Sequence, residues 1–220
     1  GPAERRRFID VELCQLDKIY LSDLTNYNKI LNQRNKLLKD LYFNPSLKET
    51  LPVWDMQLVN YGKKIIARRN QFIMELNEVV HDIHHKISGG REEMVIKYEP
   101  NIEDIFFEDE LIRAKEKDLK YAQTSVGPHR DDLKISVGDI DVRKFGSQGQ
   151  QRSCALSLKL SEIKLVEQTI HDKPVLLLDD VLSELDHNRQ NYLLQAIDDT
   201  QTIITCTGLD DFVKNRFTLN

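Results

Sequence analysis

The apolar residues of the chain fall into two regimes. In the first half, Leu13, Leu16, Tyr20, Leu24, Tyr27, Leu31, Leu38 and Leu41 recur mostly at steps of three and four, interrupted at Arg34. A second stripe runs through Leu58, Tyr61, Ile65, Phe72, Leu76, Val79, Ile83 and Ile87. Such spacing lines one face of a helix. Between the stripes, NPSLKETLP (44–52) carries two prolines and a candidate cap, Thr50, so the chain is expected to turn back on itself. The expectation is an antiparallel pair of long helices that ends at Ser88-Gly89-Gly90.

After Gly90 the runs shorten. MVIKY (94–98) predicts a strand, 107–123 a charged helix, and DLKISVGDIDV (132–142) two strands around Gly138-Asp139. The stretch 150–170 predicts a helix with Leu156, Leu160, Ile163 and Leu165 inward. PVLLL (174–178), HNRQNYLLQAI (187–197) and TIITC (202–206) then read strand, helix, strand. Continuous apolar strands in that order predict a parallel sheet buried under helices.

Composition changes this picture little. The 220 residues are 40% hydrophobic and 30% charged, enough for a core in a soluble protein. There is no apolar run of membrane-spanning length and no signal-peptide pattern. Cys14, Cys154 and Cys206 are odd in number and far apart, which suits a reducing cytoplasm better than a disulfide framework or zinc knuckle. Charge matters more. Up to Ser88 the balance is 14 Lys/Arg against 11 Asp/Glu, and from Gly89 onward 17 against 25, so net +3 and -8 sum to -5. The first part could meet a phosphate backbone or present a solvated helix face; the second holds a cation-seeking acidic site.

The chemistry concentrates in that second part. PVLLLDD ends a hydrophobic strand in two carboxylates, the form of a Walker B segment. Asp179 would hold Mg²⁺ and Asp180 would face an attacking water. Ser147-Gln148-Gly149-Gln150-Gln151-Arg152 opens a helix, with a glycine that admits a phosphate and a serine at the positive helix end. Arg152 and Asp179 are 27 residues apart, one helix and a turn, and Ser183-Glu184-Leu185-Asp186 follows.

This order of SQGQQR, helix, LLLDD and SELD resembles the signature motif, Walker B and D-loop of ABC-type ATPases. With SVGPHRDD (125–132) and Arg5-Arg6-Arg7-Phe8-Ile9-Asp10, it resembles the RecF family over nearly the whole chain. The resemblance implies an α/β fold: the C-terminal half of an ABC-type head at 123–220, with a helical arm at 1–122. It implies ATP with Mg²⁺, and a homodimer in which Ser147, Gln148, Gly149 and Gln150 reach nucleotide held by the other subunit. The D-loop would be Ser183, Glu184 and Asp186. Duplex DNA at gaps, RecR, RecO and RecA are the implied partners. The implied role is DNA replication, recombination and repair, with slow ATP hydrolysis.

Three departures qualify the resemblance. No G-x-x-x-x-G-K-[ST] occurs; Gly62-Lys63-Lys64 lies inside a helical stripe. The chain is therefore expected to be a C-terminal portion whose phosphate loop lies in a preceding segment, and to bind ATP weakly alone. Asp180 stands where these ATPases usually place Glu, and Thr205, Cys206 and Thr207 occupy the region where transport relatives have a phosphate-sensing histidine. Among weaker signals, His129 and Arg130 are candidates for a phosphate or interface role, against a tie to Asp131 or Asp132. Arg5, Arg6 and Arg7 could grip phosphates or pair within the protein. Lys63, Lys64, Arg68 and Arg69 form the preferred basic face for DNA or a partner. His81, His84 and His85 have a spacing zinc can use, but read as ordinary helix histidines. The competing functions are another chromosome-maintenance ATPase of the SMC kind, or an interaction module with vestigial motifs.

Overall fold

A computed structural model describes residues 1–182 and 185–205. It divides into two compact units, 1–75 with 96–134, and 76–95 with 135–220. These differ from a division after residue 122. The return segment through Lys134 belongs with the first unit because Asp131 and Asp132 are bound there by arginines, as detailed below.

The first unit is mostly helical: α1 (Pro2–Leu16), α2 (Lys18–Asp40) and α3 (Leu51–Ile87) up to Glu75, then α4 (Phe107–Arg113) and α5 (Lys115–Tyr121). The first stripe is two helices rather than one. Asp17 takes an extended backbone (φ -137°, ψ 103°), and its carboxylate accepts from the amides of Ile19 and Tyr20, capping α2. Thr50 is not a cap, since its hydroxyl donates back to the Leu47 carbonyl at 2.8 Å. The helices α2 and α3 run antiparallel. Arg34 meets Asp55, Tyr27 lies beside Gly62, and Tyr20 meets Arg69, so contacts step forward on one helix and backward on the other. Gly62 is a packing point: a Cβ there would fall 2.3 Å from Cε1 of Phe107. The expected charged helix at 107–123 breaks at Ala114 into α4 and α5.

Arg34 does not interrupt its stripe; it is a core residue. Its side chain is 0% exposed and donates to Asp55 (2.7 Å), to Asp118 (2.7 Å) and to the Thr124 hydroxyl (2.8 Å). Below it, Leu37, Leu38, Leu41 and Leu51 form an apolar cluster against Leu47 and Trp54.

A three-stranded sheet has the order β1 (Met94–Glu99), β2 (Asp132–Val137), β3 (Ile140–Asp141), with β2 and β3 antiparallel. The predicted hairpin is present, but β3 stops after two residues, where α6 (Val142–Phe145) begins.

The second unit holds α7 (Gln148–Ile170), β4 (Leu176–Asp179), α8 (His187–Ala196) and β5 (Thr202–Thr205). Strands β4 and β5 pair in parallel, Leu176 to Asp179 against Thr202 to Thr205. Leu156 and Leu160 of α7, Leu178, Leu193, Leu194 and Ile197 make one core with Ile87. The strands were expected to be buried on both faces, and they are not. Val175 is 52%, Leu177 68% and Ile203 56% exposed. The helices cover one face of the pair; among the described residues no layer covers the other.

Candidate functional site

At the end of β4, Asp179 and Asp180 are both exposed. The register sets Asp179 opposite Thr205, whose hydroxyl donates to the Asp179 carboxylate. The Asp180 amide donates both to the Thr205 carbonyl and to its hydroxyl oxygen, each at 3.1 Å. Asp180 has φ 51°, a left-handed conformation that Asp tolerates better than most residues. The chain thus leaves the sheet sharply, and the two carboxylates occupy different environments. The sequence placed Thr205 only in the region where transport relatives have a histidine; the strand register exposes its link to Asp179. Cys206 and Thr207 lie outside the described residues.

The donors here are all oxygen: two carboxylates and a hydroxyl. No cluster of three or more His, Cys, Asp or Glu able to hold a metal occurs among the described residues. That sparse set fits Mg²⁺, which binds through one or two carboxylates and completes its shell with water and phosphate oxygens.

The second part of the site is the start of α7. Ser147 is its N-cap, and its hydroxyl accepts from the Gln150 amide at 3.2 Å. The Gln150 side-chain oxygen accepts from the Ser147 amide at 3.0 Å, closing a capping box. Ser147 and Gln148 are exposed, and Gly149 and Gln150 half-buried. At Gly149 a Cβ would sit 3.3 Å from the Arg189 guanidinium, which itself pairs with Asp186 at 2.6 Å. Asp186 caps α8 by accepting from the Arg189 amide at 3.0 Å. That amide hydrogen bond, followed by the guanidinium, holds its carboxyl below the ordinary range. Asp186 is thus tied to the signature glycine through one arginine. Ser183 and Glu184 lie outside the described residues.

The remaining sequence candidates sit in the first unit, and most are internal ties. Arg69 is buried, and every one of its N–H groups is used. Nε donates to Asp10 and the Tyr20 hydroxyl, one terminal nitrogen to the Pro128 carbonyl (2.8 Å) and Asp131 (2.9 Å), the other to both Asp10 oxygens. It cannot serve as a DNA contact, because no donor is left to give. Arg68 pairs with Asp17 and Glu75, and Lys64 lies 3.6 Å from Asp23 and over the Tyr61 ring. Arg5 grips Asp132 through two bonds of 2.6 and 2.8 Å, and Arg6 donates to the Asp131 carbonyl at 2.7 Å. Arg7 is exposed, and Lys63 half-buried. Aspartates 10, 17 and 23 therefore neutralise much of the expected basic face.

His129 is likewise a structural tie rather than a phosphate ligand. The Thr124 carbonyl can only accept, so His129 Nε2 carries the proton donated to it at 3.1 Å. Nδ1 then accepts from the Tyr27 hydroxyl at 2.7 Å. Burial lowers its pKa to about 4, and Arg130 and Arg6 add to this, so the ring is neutral. Beside it, Gly127 has φ 132°, and a Cβ there would fall 2.5 Å from the Tyr27 hydroxyl, so only glycine suits the turn. Arg130 is exposed, and its guanidinium makes a long contact of 3.5 Å to the Thr124 carbonyl. As for the histidine trio, His84 is buried while His81 and His85 are exposed and stack at 6.5 Å. They do not converge on a metal.

The parallel strand pair ending in adjacent carboxylates, with the capped helices α7 and α8 packed against it, has the fold of part of an ABC-type ATPase head. The Smc head domain of Pyrococcus furiosus shares this fold, with a TM-score of 0.52 at 16% identity over 98% of this chain and 53% of that one. No protein-family model matches the chain. Individual relatives do. The DNA replication and repair protein RecF of Agathobacter rectalis is 69% identical over 217 residues, 99% of this chain and 60% of its own length. RecF of Lachnospira eligens is 60% identical over 100% of this chain and 61% of its own length. The structure of the recombination mediator RecF with ATP, from the RecFOR pathway, matches with a TM-score of 0.85. It is 38% identical over 96% of this chain and 59% of that one. The chain belongs to the RecF family. It spans about 60% of the length of the curated relatives it matches.

Proposed function

We propose that this chain is the C-terminal portion of a RecF-type recombination mediator. In the whole protein, ATP binding drives two heads together on DNA at single-strand gaps, where RecR and RecO help RecA to load, in the cytoplasm. Among the described residues no helix is long and apolar enough to cross a membrane. The observation that carries the reading is the site at the end of β4. It has carboxylates for a metal and a water; the signature helix is exposed at its own cap, and the sequence carries no phosphate-loop motif. The bare apolar face of β4 and β5 supports it, because a preceding segment of the head would bury Val175, Leu177 and Ile203.

Each group has a distinct task in this reading. Asp179, oriented by Thr205, holds Mg²⁺, which when bound offsets the charge of the phosphate oxygens. Asp180 accepts a proton from, or orients, the attacking water; its side chain is one methylene shorter than the usual Glu, which suits slow turnover. Ser147 and the neighbouring amides of the α7 N-terminus meet phosphate held by the other subunit. Of the basic candidates, Arg7 and Lys63 are the best placed to contact DNA, with the exposed Lys64 drawn in part to Asp23. The test is sizing of the full-length protein with Mg²⁺-ATP. The parent should dimerise, and Ser147→Arg should bind nucleotide as a monomer without dimerising. Equal dimerisation by both would refute the assignment.

A further inference from the structure

The N-cap of α7 is held from outside its helix. Gln150 closes the capping box with its side-chain oxygen, and its amide nitrogen donates to the Glu92 carboxylate at 3.0 Å. Glu92 follows the Gly89-Gly90 turn at the end of α3. Its carbonyl accepts from the Ser88 hydroxyl at 3.4 Å, and the next carbonyl, of Glu93, accepts from the Gly138 amide at 2.9 Å. The carboxylate is therefore anchored on a fixed loop. It also sets which way the Gln150 amide points, since a carboxylate accepts only from the nitrogen end.

The other oxygen of Glu92 faces His84, which is fully buried on the last turns of α3, at 3.6 Å from Nε2. His84 Nδ1 lies 2.9 Å from the Ser157 hydroxyl, which also lies 2.8 Å from the Ser153 carbonyl and has one proton to give to either. Burial lowers the His84 pKa against the opposing pull of Glu92, so the ring is neutral. Neither Nε2 nor the facing Glu92 oxygen has a hydrogen-bond partner among the described residues. Serine, histidine and glutamate in a row resemble a hydrolytic triad. This one is structural: His84 and Ser157 are buried, and Glu92 is committed to Gln150.

We infer that Glu92 is a positioning residue for the signature motif, aiming Ser147 at the neighbouring subunit's nucleotide by fixing the orientation of the Gln150 amide. The inference rests on the ATP-dependent dimer proposed above. It makes the end of α3 and the signature helix one hydrogen-bonded assembly, Glu92 to Gln150 to Ser147, backed by His84 to Ser157.

The test uses the full-length protein, reading monomer nucleotide affinity and ATP-driven dimerisation together. Glu92→Ala should leave monomer affinity unchanged and weaken dimerisation about tenfold or more, the loss expected for a charge-assisted hydrogen bond. Glu92→Gln should dimerise within about threefold of the parent, because its oxygen still accepts from Gln150. A swap covers the case in which Glu92→Ala does not fold. Gln150→Glu sets two carboxylates together and should lose dimerisation, and Glu92→Gln with Gln150→Glu should restore it. Parent-like dimerisation of Glu92→Ala or Gln150→Glu, or failure of the double swap to rescue, would overturn the inference. Ser147→Arg in the same assay separates the two levels: if it too dimerises like the parent, the signature reading has failed; if it does not, only the role of Glu92 has.

Discussion

Replacing Arg69 by Met should cost stability, and should not act through DNA. Arg69 satisfies six contacts at once, bridging Asp10 of α1, Tyr20 of α2 and Asp131 beyond the Gly127 turn. Methionine fills much of the volume but removes the cation. Asp10, with a side chain 21% exposed, can recruit water; Asp131, at 1%, cannot. It keeps hydrogen bonds from the Tyr98 hydroxyl and the Asn101 amide (2.8 Å), so its charge stays partly met. Breaking a buried pair on one side costs about 3–5 kcal/mol, and the surviving hydrogen bonds place this case near the lower end. For a chain of this size each kcal/mol moves the midpoint by about 2–4 °C, so the melting temperature should fall by about 10 °C. Urea and thermal unfolding followed by circular dichroism measure this directly. The salt dependence of DNA binding by the folded full-length variant is the companion reading, and it should match the parent's. A stability loss under about 1 kcal/mol together with a flatter salt slope would return Arg69 to the DNA surface and refute the reasoning.

Three substitutions at the candidate residues have distinct expected outcomes. His129 titrates at about 4 in the fold and near 6.5 when free, so below pH 6.5 the unfolded chain takes up the proton first. Its contribution is complete above pH 6.5 and is lost as the pH falls towards 4, by about 3 kcal/mol in all. His129→Gln should therefore show a shallower decline in unfolding free energy over that window, and an unchanged slope would argue against a neutral buried ring. In the full-length protein, Asp179→Ala should lose Mg²⁺-dependent nucleotide binding. Asp180→Asn should keep binding, slow turnover by about 10²-fold and lengthen the life of the ATP dimer; a dimer that decays as fast as the parent's would exclude Asp180 as the hydrolytic carboxylate.

The helical stripes, the signature helix and the strand, helix, strand order were legible because each is a local periodicity. What sequence pattern missed was set by partners distant along the chain. Arg34 looked like a break in a stripe because its neutralising carboxylates, Asp55 and Asp118, are remote in sequence. Arg69 looked like surface for the same reason, since Asp10 and Asp131 flank it only in the fold. The strand PVLLL read as doubly buried because apolarity reports what a strand is built to face. It does not report what covers the strand, and Leu177 is 68% exposed among the described residues. Asp17 could be read as a cap in hindsight, although the apolar spacing carries straight through it. The contacts of Thr205 and Glu92 were invisible, one placed by parallel register and the other by a loop after Gly90.

The central claim is that these residues carry the metal-facing and signature parts of an ATPase head whose phosphate cradle lies in another segment. Titration of a fluorescent ATP analogue with Mg²⁺ into this chain, beside the full-length protein, tests it most directly. The account predicts saturable binding by the full-length protein and none by this chain at micromolar concentrations. Saturable micromolar binding by the chain alone would contradict it, and would require a triphosphate cradle within these 220 residues.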